Sequence, residues 1–359
     1  MTVQARPWLD RIDPYRPGRH ATSAHGSMAS NESALGPSRS VVAAVVAAAD
    51  AVNHYPDPLA DDLRAELASL HDVHPDQILV GNGSDELIYL LAWAYLAQDG
   101  HAVCADPAYR IDEISTYVVG ARLTKVPLRD HVHDLEAMAK VEADIAYVVN
   151  PHNPTGTTRS LADIEHFVRT SRSLLTVVDE AYIDFTDDPE TATAMPLARD
   201  GRAAVLRTFS KVYGLAALRI GYLVAAPDVI AVLRKIRPPF SVGALAQADA
   251  VAAVRDRAYH QLVRERTIRS RKELVRIVEA AGYAAVPSQA NFVLVEVPHE
   301  AEMVRHLAAH GISVRPGAAL GVPGAVRISV PPEPGLYLLE QALDPTNASA
   351  PANVGAGTD

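Results

Sequence analysis

The chain has 359 residues, 48% hydrophobic and 21% charged, a composition that buries a large core and divides into two domains. Its formal net charge is −10 and no Lys/Arg-rich run occurs, so no surface for the phosphate backbone of nucleic acid is advertised. The one cysteine, Cys104, excludes an internal disulfide, and no signal-like apolar core or run of 18 apolar residues is present; the expectation is a soluble, untargeted, cytoplasmic protein.

Residues 1–37 are rich in Pro, Gly, Ser and His without a period, and read as an arm lying on another part of the molecule. Helical periodicity then predicts helices over 38–52, 59–70 and 84–96. Short apolar runs follow at 102–105, 123–126, 145–149, 174–178 and 203–206, and helix-like segments (109–118, 161–170, 227–237) separate most of them. That alternation specifies an α/β fold with a mainly parallel sheet covered on both faces. After Pro238-Pro239 a long helix is expected over 243–281, and then NFVLVEV, GISVRPG and AVRISV with a helix at 300–310 between them. The expected division is an arm at 1–37, a large domain at 38–240, a small α+β domain at 241–345 and a disordered tail at 346–359.

In such a sheet ligands bind beyond the carboxyl ends of the strands, so the residues just after each run carry the chemistry. The run DIAYVV opens NPHNPTGT, whose prolines and glycine fix a turn that exposes Asn153; a plain capped loop explains it equally well. LLTVV ends in Asp179-Glu180-Ala181-Tyr182, where the aspartate is either a helix cap or an anion held for a cationic partner. AAVLR ends in TFSK, placing Lys211 at the same edge, with Arg219 eight residues on. A lone lysine is usually a solvated surface group, but in a partly apolar pocket its pKa falls and it becomes an amine nucleophile. Upstream, Gly81, Gly83 and Ser84 precede a helix whose free N–H groups and dipole make a phosphate seat, although the same residues make a good turn and N-cap. A phosphate seat, a strand-end carboxylate, an Asn and a Tyr for a phenolic oxygen, and an imine-forming lysine match the needs of pyridoxal 5′-phosphate.

These motifs, from SNESALGPS through NPHNPTGT, VVDEAYIDF and TFSKVYGLAALRIGY to VRISV, resemble the fold type I pyridoxal-phosphate-dependent aminotransferases of class I/II, above all the histidinol-phosphate aminotransferase branch. The resemblance implies a seven-stranded sheet in the large domain and a homodimer with shared sites. It further implies that Lys211 forms the imine with the cofactor and moves the proton, that Asp179 pairs with the pyridinium nitrogen, that Tyr182 and Asn153 hold the ring's 3-oxygen, and that Tyr109 stacks on the ring. For the phosphate it implies Gly83, Ser84, Asp85, Thr208, Ser210 and Arg219, with Tyr55 reaching over from a neighbouring subunit. Arg327, Arg315 and Asn31 are implied for the substrate.

His152 departs from the usual NPNNPTG loop, Ala217 stands where the branch has glycine, and SNESALGPS lacks the usual aromatic or proline. These changes touch the substrate mouth, so the donor stays open between histidinol phosphate and aromatic amino acids. Another pyridoxal-phosphate reaction on the same fold, such as decarboxylation, cyclisation or oxidation, is an alternative, and a non-enzymatic regulator is disfavoured by the lack of a DNA-binding segment. No metal site is expected, because neither HDVH nor HVH has a third ligand at typical spacing.

Overall fold

The computed structural model describes residues 4–14 and 20–344; the proposed tail lies outside the described residues. Among the described residues twelve strands occur in chain order: β1 (Ser27–Met28), β2 (Ile78–Gly81), β3 (His101–Asp106), β4 (Arg122–Pro127), β5 (Ala143–Val149), β6 (Ser173–Asp179), β7 (Ala204–Thr208), β8 (Gly221–Val224), β9 (Ala284–Ala285), β10 (Phe292–Glu296), β11 (Ser313–Pro316) and β12 (Ala325–Ser329). They form a seven-stranded sheet of order β2-β8-β7-β6-β5-β3-β4 and a five-stranded sheet of order β1-β11-β12-β10-β9.

The large sheet is parallel except at β8, which runs antiparallel to both β2 and β7. Sequence periodicity located neither β2 nor β8. Both are only four residues long, and each is continuous with a turn that dominates its local composition. The link from β7 to β8 carries only one 3-10 turn, Ala216–Leu218, rather than a long crossover helix, so the chain returns antiparallel. Along β6 the adjacent Val177 and Val178 enter different apolar clusters, as expected for a strand buried on both faces. Helices such as Gly83–Tyr95 and Pro227–Ile236 supply the residues that cover it.

The long helix expected over 243–281 is two helices, Ala244–Arg255 and Arg257–Ala280. Asp256 interrupts them because its carboxylate accepts from Tyr259 N at 3.1 Å and so caps the second helix. In the small sheet, β1 from the N-terminal arm pairs parallel with β11, and β10 and β12 pair antiparallel. The parallel strands β2, β3, β5, β6 and β7 all present their carboxyl ends at one edge, where Asn31, after β1, and Arg327 of β12 meet residues that follow them.

Candidate active site

Asp179 is the last residue of β6 and is buried. Its Oδ1 accepts from Ala181 N at 2.9 Å. Burial pushes the carboxyl up to about 7; the Ala181 N–H opposes that, Asp85 and Glu180 add to it, and Lys211 opposes it. A carboxylate in this position needs a cation to ionise fully. Three residues on, the buried Tyr182 accepts at its phenol oxygen from Asn31 Nδ2 (3.2 Å) and Asn153 Nδ2 (3.4 Å). Those two donors occupy the oxygen's acceptor sites and leave its own proton for a third group. The Tyr182 ring stands edge-on to Phe292, with centroids 5.1 Å apart.

Lys211 follows β7 by three residues and is half-buried. Its Nζ donates to the Asn31 carbonyl at 3.2 Å and lies 5.6 Å from the centroid of the Tyr182 ring. Asn31 adopts φ 54°, a left-handed conformation that asparagine tolerates better than most residues. Its nitrogen donates to Ser329 Oγ (2.8 Å), its Oδ1 accepts from the same hydroxyl (2.8 Å), and its carbonyl also accepts from Asn291 Nδ2 (3.1 Å).

Beside this lies a cluster of backbone N–H, hydroxyl and guanidinium donors with the chemistry to hold an anion. The helix Gly83–Tyr95 begins there with Gly83 at φ 74°. Ser210 N donates to Thr208 Oγ1 (3.1 Å), while Thr208 Oγ1 (3.0 Å) and Arg219 Nη1 (3.4 Å) both donate to Ser210 Oγ. The Ser210 hydroxyl proton can therefore point at an anion. Arg219 Nη2 also reaches Asp85 Oδ2 at 3.2 Å, and Tyr109 OH donates to Asp85 Oδ1 at 3.0 Å. Burial, reinforced by Asp85, holds the Tyr109 phenol well above its ordinary range, so it stays protonated. A Cβ on Gly83 would sit 2.8 Å from Arg219 Nη2, and one on Gly221 would sit 2.7 Å from Ser84 N; the cradle exists because both are glycine.

On the opposite side is Arg327, buried on β12. Nη1 donates to Asn153 Oδ1 at 2.6 Å, Nη2 to the Ala29 carbonyl at 2.9 Å, and the guanidinium carbon lies 5.2 Å from the Phe292 ring centroid. Arg315 stands opposite Arg327 in the β11–β12 register. Tyr55 is the one sequence-proposed residue not gathered here: it is 83% exposed and its ring stacks on Phe240 at 4.7 Å. Phe292, Ser329 and Asn291 have roles in the site that the sequence reading did not assign. Ser329 was reachable, since it lies two residues from Arg327 and so shares its face of β12. Among the described residues no group of three or more metal-binding side chains occurs, and no helix is long and apolar enough to cross a membrane.

The fold and these side chains define an α/β enzyme with a strand-end amine, a buried carboxyl and an anion seat. Over residues 27–343 the sequence matches the family described as aminotransferase class I and II, and the chain belongs to that family. Histidinol-phosphate aminotransferase of Brevibacillus brevis is 39% identical over 309 residues, covering 84% of this chain and 85% of that protein. Aromatic amino acid aminotransferase of Thermobifida fusca is 38% identical over 345 residues, 93% of this chain and 95% of that protein. The crystal structure of histidinol-phosphate aminotransferase from Sinorhizobium meliloti in complex with pyridoxal-5′-phosphate matches with a TM-score of 0.87 at 30% identity, covering 96% of this chain and 97% of that one.

Proposed function

We propose that this aminotransferase moves an amino group between a ring-bearing donor, histidinol phosphate or an aromatic amino acid, and a 2-oxo acid such as 2-oxoglutarate. Its cofactor is pyridoxal 5′-phosphate. The observation that carries this reading is the convergence at one sheet edge of the Lys211 amine, the buried Asp179 and the cradle built on Gly83, Ser210 and Arg219. The two relatives described above, of similar identity, bear the two donor names.

When bound, the cofactor supplies an electron sink for the carbanion formed at the substrate α-carbon. The chain's own groups do the rest. Ser84, Ser210 and Arg219, with the first N–H groups of the helix Gly83–Tyr95, would hold the phosphate, where anion and helix dipole suit one another. Asp179, raised by burial, would gain the pyridinium cation it needs. Tyr182 would direct its spare proton to the ring oxygen, Asn153 would approach the same oxygen, and Tyr109 would cover the ring. Lys211 Nζ would be the amine that holds the cofactor's aldehyde carbon and the base that moves the substrate's α-proton. Arg327 presents a planar fork for a carboxylate or phosphate, with Arg315 beside it and Asn31 completing the wall. The cofactor thus belongs to the large part of the chain, 38–240, and the substrate anion mainly to the small part, 241–345.

The exposed Tyr55–Phe240 stack, with Val42, Val46 and Leu59 also exposed, suits a homodimer in which Tyr55 of one copy reaches the phosphate seat of the other. A cytoplasmic setting fits the single buried thiol, Cys104, whose proton burial retains.

The test is a half-reaction screen with histidinol phosphate, phenylalanine, tyrosine, tryptophan and aliphatic donors. A ring-bearing donor should yield the pyridoxamine form plus a 2-oxo acid or the corresponding ketone. Release of carbon dioxide or ammonia without pyridoxamine would sink transamination. Borohydride reduction should attach the cofactor to Lys211, and Lys211→Ala should abolish that attachment; labelling at another residue would overturn the assignment.

A further inference from the structure

His152, the residue at which the loop departs from its usual pattern, makes a side-chain bridge between two strand ends. It is fully buried. Its Nε2 lies 3.1 Å from the carbonyl of Pro107, which immediately follows β3, and its Nδ1 lies 2.9 Å from Thr155 Oγ1 within its own loop after β5. A carbonyl only accepts, so Nε2 carries the hydrogen and Nδ1 is an acceptor facing the Thr155 hydroxyl, whose one hydrogen is shared with Thr157 Oγ1 at 2.8 Å because the Thr157 hydroxyl donates to the His131 carbonyl. Burial lowers the imidazole pKa to about 4, so this tautomer persists through the neutral range. The loop is closed by its backbone as well, with His152 N donating to Thr157 O at 2.8 Å and Gly156 N to His152 O at 2.6 Å. The buried His133 ring packs edge-on against His152, with centroids 4.7 Å apart and an 86° interplanar angle.

The bridge connects two groups used by the site. Two residues beyond Pro107 is Tyr109, anchored through Asp85, and the next residue after His152 is Asn153, anchored to Tyr182 and Arg327. We propose that His152 is a positioning residue for the cofactor ring, fixing the distance between the ring that covers it, Tyr109, and the amide that approaches its oxygen, Asn153. This rests on the pyridoxal-phosphate reading above. A ring held between two loops is oriented only as well as the loops are held to each other, and supporting hydrogen bonds of this kind set such tolerances. Glutamine keeps the longer arm of the bridge, because its amide nitrogen can take the place of Nε2 and donate to the Pro107 carbonyl, while giving up the Thr155 contact. Phenylalanine keeps the bulk and the edge contact but neither hydrogen bond.

The experiment compares wild type, His152→Phe, His152→Gln and Thr155→Val as full-length holoenzymes. Cofactor affinity, the visible circular dichroism of the bound cofactor, the pH midpoint of its absorption band and the melting temperature without cofactor are read for each. His152→Phe should weaken cofactor binding by about tenfold, the loss of two hydrogen bonds of ordinary strength, and should change both the dichroism and the pH midpoint. Thr155→Val should move the same readouts in the same direction by a smaller amount, and it decides the matter should His152→Phe fail to fold. His152→Gln should stay within about threefold of wild type, because it keeps the hydrogen bond to the Pro107 carbonyl that spans the two strand ends. A lowered melting temperature in His152→Phe or Thr155→Val with unaltered affinity, dichroism and pH midpoint would reduce His152 to a core residue and overturn the proposal. Should wild type itself show no borohydride-fixed cofactor on Lys211, the pyridoxal-phosphate reading fails, an outcome separate from any effect of the variants.

Discussion

Asp179 shows how a single residue is made costly so that a ligand can offset the cost. Its carboxyl closes a buried strand, has one backbone donor at 2.9 Å, and is pushed up to about 7 chiefly by burial. A pyridinium N–H placed against it would supply the missing counter-charge, and the ionised carboxylate would in turn keep that nitrogen protonated. Asp179→Asn removes the charge while keeping the shape. Truncating one partner of a buried charged pair typically costs about 2–5 kcal/mol, so cofactor affinity should fall by roughly 30-fold or more, measured by equilibrium titration. Turnover at saturating cofactor should fall further, because the electron sink loses its proton. An Asn variant with unchanged affinity and turnover would remove Asp179 from the site. Lys211, Asp179 and Asn153 could be proposed from the sequence because each lies within a few residues of the end of an apolar run, and strand ends are where side chains of distant segments meet. Ser329 could have been reached from its spacing to Arg327, but Phe292 could not, because its place comes from small-sheet pairing: Phe292 stands opposite Ser329 in the β10–β12 register, which no local pattern encodes.

Two elements carry positions where one atom decides the outcome. Gly221 begins β8, and a Cβ there would approach Ser84 N to 2.7 Å and Arg207 O to 2.9 Å, backbone on both sides with no flexible end to yield. Gly221→Ala should therefore spread β7 from the first turn of the helix Gly83–Tyr95, costing about 1–3 kcal/mol of stability by overpacking and weakening cofactor retention. Thermal melts with and without cofactor check both parts, and an alanine variant with wild-type melting and retention would show that the seat is not tightly built. In the helix Ala244–Arg255, Asp249 is fully buried, neither carboxylate oxygen has a hydrogen-bond partner among the described residues, and burial pushes it to about 6. Its folded pKa lies above the unfolded value near 4, so its ionisation opposes folding increasingly as pH rises through about 6 and not at all below about 4. Asp249→Ala should thus stabilise the protein by about 1–3 kcal/mol at pH 8 and much less at pH 4, read from denaturant midpoints. A variant less stable than wild type at pH 8 would mean that the carboxylate has a partner. The break at Asp256 escaped the periodicity for a related reason: apolar spacing continues through the junction, and only a cap hydrogen bond to Tyr259 N ends one helix and starts the next.

Across the whole molecule the small sheet is tied to the large one through the site itself. Asn31, in the segment after β1, reaches Tyr182 and receives Lys211, and Arg327 from β12 reaches Asn153. The alternation of helix and strand made the doubly covered sheet legible, whereas the antiparallel β8 was hidden by its length and the joining of the arm to the small sheet by its two-residue strand. Tyr55 remains outside this convergence, 83% exposed on Phe240. If Tyr55 serves the partner's phosphate seat, a site needs Lys211 from one copy and Tyr55 from the other. Lys211→Ala homodimers should then be inactive, and Tyr55→Ala homodimers should bind the cofactor roughly tenfold more weakly, the loss of one hydrogen bond to a charged group. In a hybrid of one Lys211→Ala and one Tyr55→Ala subunit, the Lys211→Ala subunit supplies an intact Tyr55 to the site that keeps Lys211. That one site should recover wild-type cofactor affinity, while the other lacks both groups. Co-expressed, differently tagged subunits purified through both tags provide the hybrid, and cofactor titration with single-turnover activity reads it. If the surviving site in the hybrid binds as weakly as in the Tyr55→Ala homodimer, Tyr55 acts within its own chain or not at all.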